Sequence, residues 1–137
     1  MNLLEIFSLF TIHYIGDFLL QTDEDARGKS TSWKHLLNHT FTYTSTWFIA
    51  FILIMFGMCY YELYTHTTFM LPFDRRIYWF IPITFVCHTI TDYFTSRWVK
   101  KSFDKQDYHN GFAKIGFDQY VLHLPQSFLT YYLLTKK

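Results

Sequence analysis

Charged residues are scarce in this chain of 137 residues: Asp, Glu, Lys and Arg make up only 17% of it, and the formal net charge is +1. It contains no long run of Lys and Arg and no basic segment interleaved with aromatic residues. A clustered basic surface of that kind is the electrostatic footprint of nucleic-acid binding. The composition therefore argues against a nucleic-acid partner.

Cysteine, proline and glycine are also few, at 2, 3 and 5 residues. Cys59 and Cys87 form no CxxC spacing and each lies in an apolar run, which predicts two reduced core residues rather than metal ligands. Aromatic residues, by contrast, reach 23%, with 16 Phe, 11 Tyr and 4 Trp. That load is far above ordinary globular usage and would give a soluble domain of this length an oversized core.

One long segment lacks charge altogether. Residues 40–61 contain no Asp, Glu, Lys or Arg. As a helix rising ~1.5 Å per residue, this segment is long enough to cross a hydrocarbon layer of ~30 Å. It therefore predicts a membrane-spanning helix.

Three further segments have membrane length but carry a few polar residues clustered toward one end. Together with the uncharged segment they predict an all-α fold, a single membrane domain over 1–137 with spans at about 2–21, 35–61, 76–98 and 115–135. The intervening segments 22–32, 62–75 and 99–114 contain charge, Pro72 or Asn110-Gly111 and predict loops. The result is a four-transmembrane-helix bundle built from two pseudo-repeated antiparallel hairpins.

The distribution of Lys and Arg predicts the orientation. The span ends joined by loops 22–32 and 99–114 carry eight of these cations, and the opposite ends carry four. The eight are Arg27, Lys29, Lys34, Arg97, Lys100, Lys101, Lys105 and Lys114; the four are Arg75, Arg76, Lys136 and Lys137. By the positive-inside rule the first side is cytoplasmic and both termini lie outside.

A short phrase occurs twice, 75 residues apart: His13-Tyr-Ile-Gly-Asp17-Phe18 and His88-Thr-Ile-Thr-Asp92-Tyr93. Residues four apart on a helix lie about 40° apart on one face, so each copy presents an imidazole beside a carboxylate. Such pairs suit metal binding or proton transfer. A single intramembrane pair is equally compatible with a structural hydrogen bond.

The predicted topology brings the polar residues of all four spans to the cytoplasmic end. Without Lys or Arg among them, imidazoles and carboxylates buried together require a cation, and this donor set favours Zn²⁺, with Fe²⁺ or Mn²⁺ as alternatives. One ion or a pair a few ångströms apart fits the two hairpins. The candidate metal ligands are His13, Asp17, His35, His39, His88, Asp92, Asp118 and His123, and the candidate catalytic carboxylates are Asp17, Asp92 and Asp118.

Two features of the last span leave alternatives open. Asp118 is either a ligand or the N-terminal cap of that span. Asp118 and His123 lie five residues apart, about 140° on an ideal helix, so they reach one site only if the helix is irregular there. Pro82 and Pro125 predict kinks in the third and fourth spans.

Several of these motifs together resemble a known family. The block His13-x-x-Gly16-Asp17-Phe18-x-Leu20-Gln21, Lys34-His35-x-x-x-His39, His88-x-x-x-Asp92 and Phe117-Asp118-Gln119 with His123 are similar to the signature of domain-of-unknown-function family 3307. The resemblance spans nearly the whole chain. It implies a small four-helix protein of bacteria or phages, in the bacterial inner membrane, and it implies no activity.

The chemistry of the cluster favours a metal-dependent membrane hydrolase that acts on a lipid or a lipid head group from the cytoplasmic leaflet. A non-enzymatic module that binds or transports cations or protons is one alternative, and a phage-type interaction protein with a structural His/Asp cluster is another. Di-iron lipid oxidation is disfavoured, because membrane desaturases use about eight histidines. Membrane lipid is the expected partner, and a homo-oligomer is compatible with so short a chain.

Overall fold

The computed structural model describes residues 3–65 and 75–135, and within these ranges the chain is helical and has no strand. The all-α class is therefore confirmed. Residues 1–2, 66–74 and 136–137 lie outside the described part, and with them the middle of the predicted loop 62–75, including Pro72, and two cations of the orientation count, Lys136 and Lys137.

Six α-helices lie in the described ranges. They are α1 Leu3–Tyr14, α2 Asp23–Gly28, α3 Trp33–Thr65, α4 Phe80–Phe103, α5 Tyr108–Phe117 and α6 Leu124–Thr135. A π-helix, Ile15–Leu19, continues α1, and a second, Asp118–His123, joins α5 to α6. A 3₁₀ turn, Arg75–Trp79, leads into α4.

Antiparallel packing organises the four long helical segments. His13 of α1 is bonded to Tyr43 of α3, and Asp17, in the π-helix that continues α1, lies against His39, nearer the start of α3. The pair α4 and α6 repeats this arrangement, because Asp92 contacts His123 while the turn before α4 packs on α6. The described helices therefore form two antiparallel hairpins, as the sequence repeat predicts.

Apolar and polar residues separate along these helices. Leu9, Trp47, Ile77, Phe80 and Tyr131 form a buried apolar core, in which the Trp47 and Phe80 rings lie 4.9 Å apart. One or two turns away from this core along each helix, the buried residues are histidines and aspartates. The apolar core thus holds the hairpins together beside the polar cluster.

By length and hydropathy, one helix in the described ranges qualifies to cross a membrane. It is α3, whose best 18-residue window has a mean hydropathy of 1.6 and only 6% of its residues buried. An apolar helix so exposed is not the core helix of a soluble domain, and large exposed apolar surfaces mark contact with a membrane or a partner. Phe41, Phe48, Leu53 and Phe56 are among its outward-facing residues.

All three predicted loops are partly helical, since α3 also runs to Thr65, so the loop predictions were wrong in extent. Thr22 caps α2 by accepting a hydrogen bond from the Asp25 backbone at 3.1 Å, and three acidic residues occupy the first turn of that helix, both of which favour a helix start. In the predicted loop 99–114, α4 continues to Phe103 and α5 begins at Tyr108. The pair Asn110-Gly111 lies within α5, where Gly111 packs against the Phe103 ring.

The prolines and cysteines also sit differently from a simple reading of the sequence. Pro82 lies in the first turn of α4, where its missing N–H leaves no hydrogen bond unmade. Pro125 lies in the first turn of α6, directly after the second π-helix, so it coincides with a change of helix type. Both cysteines are free as predicted, but Cys59 is exposed rather than in a core, because the second half of α3 faces outward.

The contact between α2 and α3 gives a prediction about packing. A Cβ added at Gly28 would lie 2.5 Å from two ring atoms of His35 and 2.9 Å from its Cβ, whereas a Cβ at Gly116 meets nothing within 4 Å. We expect Gly28→Ala to reduce the free energy of unfolding by about 1–3 kcal/mol through overpacking. Thermal unfolding followed by circular dichroism in detergent measures the change.

Gly116→Ala is the matched control, because it makes the same substitution in open space within a helix. It should leave stability unchanged or raise it by up to about 1 kcal/mol, since Ala is the better helix former. Equal effects of the two substitutions would contradict the close contact between Gly28 and His35.

Candidate metal centre

Two π-helices carry acidic residues of the site. Ile15–Leu19 contains Asp17, and Asp118–His123 begins and ends with candidate ligands. Each is closed by a backbone hydrogen bond spanning five residues instead of four. A π-helical turn changes the direction of side chains and is often found at functional sites.

The second π-helix brings Asp118 and His123 together. His123 Nε2 lies 3.2 Å from Asp118 Oδ1, although five residues of ideal α-helix would separate the two by about 140°. The irregular helix that Asp118 and His123 need in order to reach one site is therefore present. Asp118 follows α5 without a break, so the alternative reading of this residue as an N-terminal cap was wrong.

Five side chains from four helical segments converge at one point. Asp17, His39, His88, Asp92 and His123 are each no more than 3% exposed. His39 Nε2 lies 3.0 Å from Asp17 Oδ1, 3.0 Å from Asp92 Oδ2 and 3.1 Å from His88 Nε2. His88 Nε2 lies 3.4 Å from Asp17 Oδ1 and 3.7 Å from Asp92 Oδ2. These donors could hold a metal ion.

The crowding around His39 is more than hydrogen bonding accounts for. A single ring N–H can donate one good hydrogen bond, yet three other atoms that could ligate a metal lie within 3.1 Å of His39 Nε2. Both carboxylate oxygens of Asp17 are buried, and its Oδ1 lies 3.0 Å from His39 Nε2 and 3.4 Å from His88 Nε2. Buried carboxylates are ordinarily hydrogen-bonded, paired or bound to a metal, and this arrangement fits either pairing with the imidazoles or a shared metal ion.

Asp92 connects two groups of donors. Its Oδ2 faces His39, whereas its Oδ1 lies 3.2 Å from His123 Nε2. The first group comprises Asp17, His39 and His88, and the second comprises His88, Asp92 and His123. A carboxylate that presents one oxygen to each group is suited to bridging two neighbouring ions.

His13 lies at the edge of the cluster with both ring nitrogens engaged. Its Nε2 donates to Gln119 Oε1 at 2.8 Å, because an amide oxygen can only accept, and in the neutral ring its Nδ1 accepts from Tyr43 Oη at 2.8 Å. Its Nε2 is 3.8 Å from Asp17 Oδ2. Gln119 in turn donates to Asp118 Oδ2 at 3.2 Å, so His13 is placed to orient other residues rather than to ligate.

Tyr43 fixes the orientation of His88. The two rings stack with centroids 3.9 Å apart and an interplanar angle of 18°. Tyr43 also lies against Gly16, where an added Cβ would be 3.1 Å from its ring. The glycine of the first motif copy therefore allows α1 and α3 to approach closely beside the cluster.

His35 lies apart from both donor groups. Its Nδ1 donates to Asp25 Oδ1 at 2.8 Å, and its Nε2 lies 3.8 Å from Glu24. Burial acts to raise the pKa of Asp25, but hydrogen bonds from His35 and Thr22 outweigh it and hold that pKa below its ordinary value. The His35 imidazole, a candidate ligand by sequence, thus anchors α2 on α3 in this structure.

Lys29 occupies a place that the sequence analysis did not anticipate. Its Nζ donates to Asp92 Oδ2 at 2.9 Å and lies 3.4 Å from His39 Nε2, so the premise that the cluster holds no Lys or Arg was wrong. Burial acts to lower the pKa of Lys29, but the carboxylates of Asp92 and Asp17 hold it above its ordinary value. The capping signals of α2, which fold loop 22–32 back over the site, were the available clue.

A cavity of about 450 Å³ opens beside the donor groups. Asp17, Asp92 and Asp118 line its inner wall, and Lys29 lies among them. The cluster is therefore buried from the core side and reachable from this cavity.

The Lys29 contact predicts a large effect on stability in metal-free protein. Lys29→Met removes the ammonium beside buried Asp92, and breaking one partner of a buried ion pair costs about 3–5 kcal/mol. We expect the thermal midpoint to fall clearly in protein treated with a chelator. Lys101→Met, at an exposed position of α4, is the control and should change stability by less than about 0.5 kcal/mol. A Lys29→Met protein as stable as this control would show that the ammonium does not balance Asp92.

Comparison with known proteins assigns no function to the site. No family model matches the chain, and no curated protein or solved structure is significantly similar to it. Membership of the family that the motifs resemble therefore stays a prediction.

Proposed function

We propose that the cluster is the centre of a metal-dependent membrane hydrolase that acts on a lipid or a lipid head group from the cytoplasmic leaflet. One observation carries the proposal: buried ligand atoms of Asp17, His39 and His88 lie within 4.8 Å of one another, and so do those of His88, Asp92 and His123. Zn²⁺ is the preferred ion, with Fe²⁺ or Mn²⁺ as alternatives.

The spacing of these atoms supports zinc. Four ligands placed tetrahedrally about 2.0–2.2 Å from Zn²⁺ lie roughly 3.3–3.6 Å from one another. The distances from His39 Nε2 and His88 Nε2 to the carboxylate oxygens of Asp17 and Asp92 run from 3.0 Å, between His39 and Asp17, to 3.7 Å, between His88 and Asp92. Small outward shifts of the side chains would accommodate the ion. The two donor groups that share His88 also leave room for a second ion.

Asp118 is the best placed of the three candidate carboxylates to act as general base. Asp17 and Asp92 belong to the donor groups, whereas Asp118 lines the cavity beside them and is oriented by Gln119. In hydrolysis the oxygen of water bonds to the electrophilic atom of the ester, and the bond to the leaving alcohol breaks. Asp118 accepts the proton of water and returns it to the departing alkoxide. A bound metal ion supplies the acidity of the water, with a pKa near 7 in established zinc sites.

The length and the exposed apolar surface of the helices support a membrane location. α3 is the helix long and apolar enough to span, and it belongs to the first of two antiparallel hairpins. Exposed apolar residues also cover α1 and α6, among them Leu4, Phe7, Leu129 and Leu133. All four long segments therefore cross the inner membrane in this proposal, with the cluster and its cavity near the cytoplasmic face, where the span ends joined by loops 22–32 and 99–114 carry eight of the twelve Lys and Arg residues.

Lys29 favours a second candidate function. Its ammonium already balances Asp92, so the cluster has a counter-charge without a metal ion. In that case the buried imidazoles and carboxylates bind or relay protons, or fasten the bundle, with no turnover. The metal content of the purified protein separates the two functions.

The first test of the proposal is elemental analysis of protein purified without chelator. We expect about one or two equivalents of a transition metal, most of which is lost in His39→Ala and in His88→Ala, because each supplies a donor atom. His35→Ala is the matched control, since His35 bonds to Asp25 outside the donor groups, and it should retain the metal. Wild-type protein free of metal would favour the second function.

The second test concerns turnover. Metal-loaded protein should hydrolyse p-nitrophenyl phosphate or p-nitrophenyl butyrate, and a chelator should abolish the activity. Asp118→Asn should lower kcat about 10²- to 10⁴-fold, the usual contribution of a general base, while the bound metal stays unchanged. Asp107→Asn, at the exposed cap of α5, makes the same change away from the site and should leave kcat unaltered. If the activity persists in Asp118→Asn, the base is another residue.

A further inference from the structure

The cavity beside the cluster has a distinctive distribution of charge. Its inner wall carries the carboxylates described above with Lys29 among them, and Arg27 and Lys100 also line the cavity. Carboxylates alone would repel an anion, and cations alone would bind one without chemistry. A metal ion held by the inner wall would make the whole cavity attractive to a negatively charged group.

Two of the three cations are free to exchange their present partners. Arg27 pairs with Asp23 at 3.4 Å, and both side chains are more than four-fifths exposed. Lys100 pairs with Asp104 at 2.6 Å in a half-exposed contact. Exposed ion pairs contribute about 0–1 kcal/mol, so an incoming anion can displace either carboxylate at little cost.

Apolar side chains also line the cavity. Phe18, Val99, Phe103 and Ile115 form an apolar part of its wall, and Phe18 is nearly half exposed. Uncharged polar residues complete the lining, namely Gln21, Ser30, Thr95, Ser96 and Gln119. A free inorganic anion has no apolar area to bury against such a surface, whereas a ligand with a hydrocarbon part would cover it. The combination of cations and apolar side chains on one cavity therefore matches an anionic amphiphile.

We infer that this cavity binds a lipid through its phosphate group, with the acyl part against the apolar wall. The inference rests on the proposed function, since it names the substrate class of the same site. A phosphate oxygen held by Lys29 and Lys100 places the phosphorus beside the metal ligands. Hydrolysis then joins the oxygen of water to phosphorus, breaks the bond from phosphorus to the lipid alcohol, and delivers the water proton to the alkoxide through Asp118.

Native mass spectrometry of the metal-loaded full chain in dodecyl maltoside tests this inference. The protein is offered equal amounts of phosphatidic acid and phosphatidylcholine of the same acyl chains, and its metal content is measured in the same samples. We expect phosphatidic acid to be retained with about tenfold preference, as one or two additional charge-assisted hydrogen bonds imply. Inorganic phosphate at the same concentration should not displace it.

Substitutions at the rim locate the binding. Lys100→Met should abolish the preference, and Arg27→Gln should reduce it; both positions are solvent-accessible, so the fold should persist. Lys101→Met removes the same charge one residue away, on a side chain that does not line the cavity, and should keep the full preference.

The outcomes separate the two proposals. Bound metal with equal retention of the two lipids, or equal loss of preference in Lys100→Met and Lys101→Met, overturns the lipid inference and leaves the metal centre standing. Displacement of phosphatidic acid by equimolar inorganic phosphate overturns the lipid part, because the acyl wall would then contribute nothing. A preference that follows Lys100 in protein without metal supports the lipid site and overturns the hydrolase.

Discussion

The burial of two carboxylates among three imidazoles is the constraint on which the rest of the structure depends. Asp17 and Asp92 are almost inaccessible to solvent, and a carboxylate in that position is costly unless a cation, a proton or several hydrogen-bond donors accompany it. The four helical segments are therefore arranged around a place for positive charge.

Two cations compete for that place. Lys29 reaches Asp92 from the turn after α2, and a divalent ion would sit among the donor atoms that already surround His39. A metal ion brings Lewis acidity and an activated water, whereas an ammonium brings only charge balance. The catalytic and the non-catalytic functions thus differ in a single physical respect, namely which cation the carboxylates hold.

The position of the cluster follows from how each helix is divided. The buried face of α3 changes from His39 and Tyr43 to Trp47 within three turns, and α4 changes in the opposite order from Phe80 to His88 and Asp92. Antiparallel packing places like parts side by side, so the apolar core forms at one level and the polar cluster at the next. The apolar level supplies the packing energy that keeps the polar groups at fixed distances.

The sequence by itself determined the helical class, the two hairpins and most of the donor set, because the i, i+4 spacing of His13-Asp17 and His88-Asp92 and the uncharged run in α3 are local patterns with local consequences. The tertiary structure decided what depends on partners distant in the chain. Only packing shows that His13 is occupied by Tyr43 and Gln119, that His35 is held by Asp25, and that Lys29 enters the cluster. The π-helix that joins Asp118 to His123 belongs to the same group, since a turn of five residues departs from the ordinary helical period and has no periodic signature in a single sequence. The spacing of a residue along the helix sets the face on which it lies, whereas its role depends on which side chains from other parts of the chain contact it.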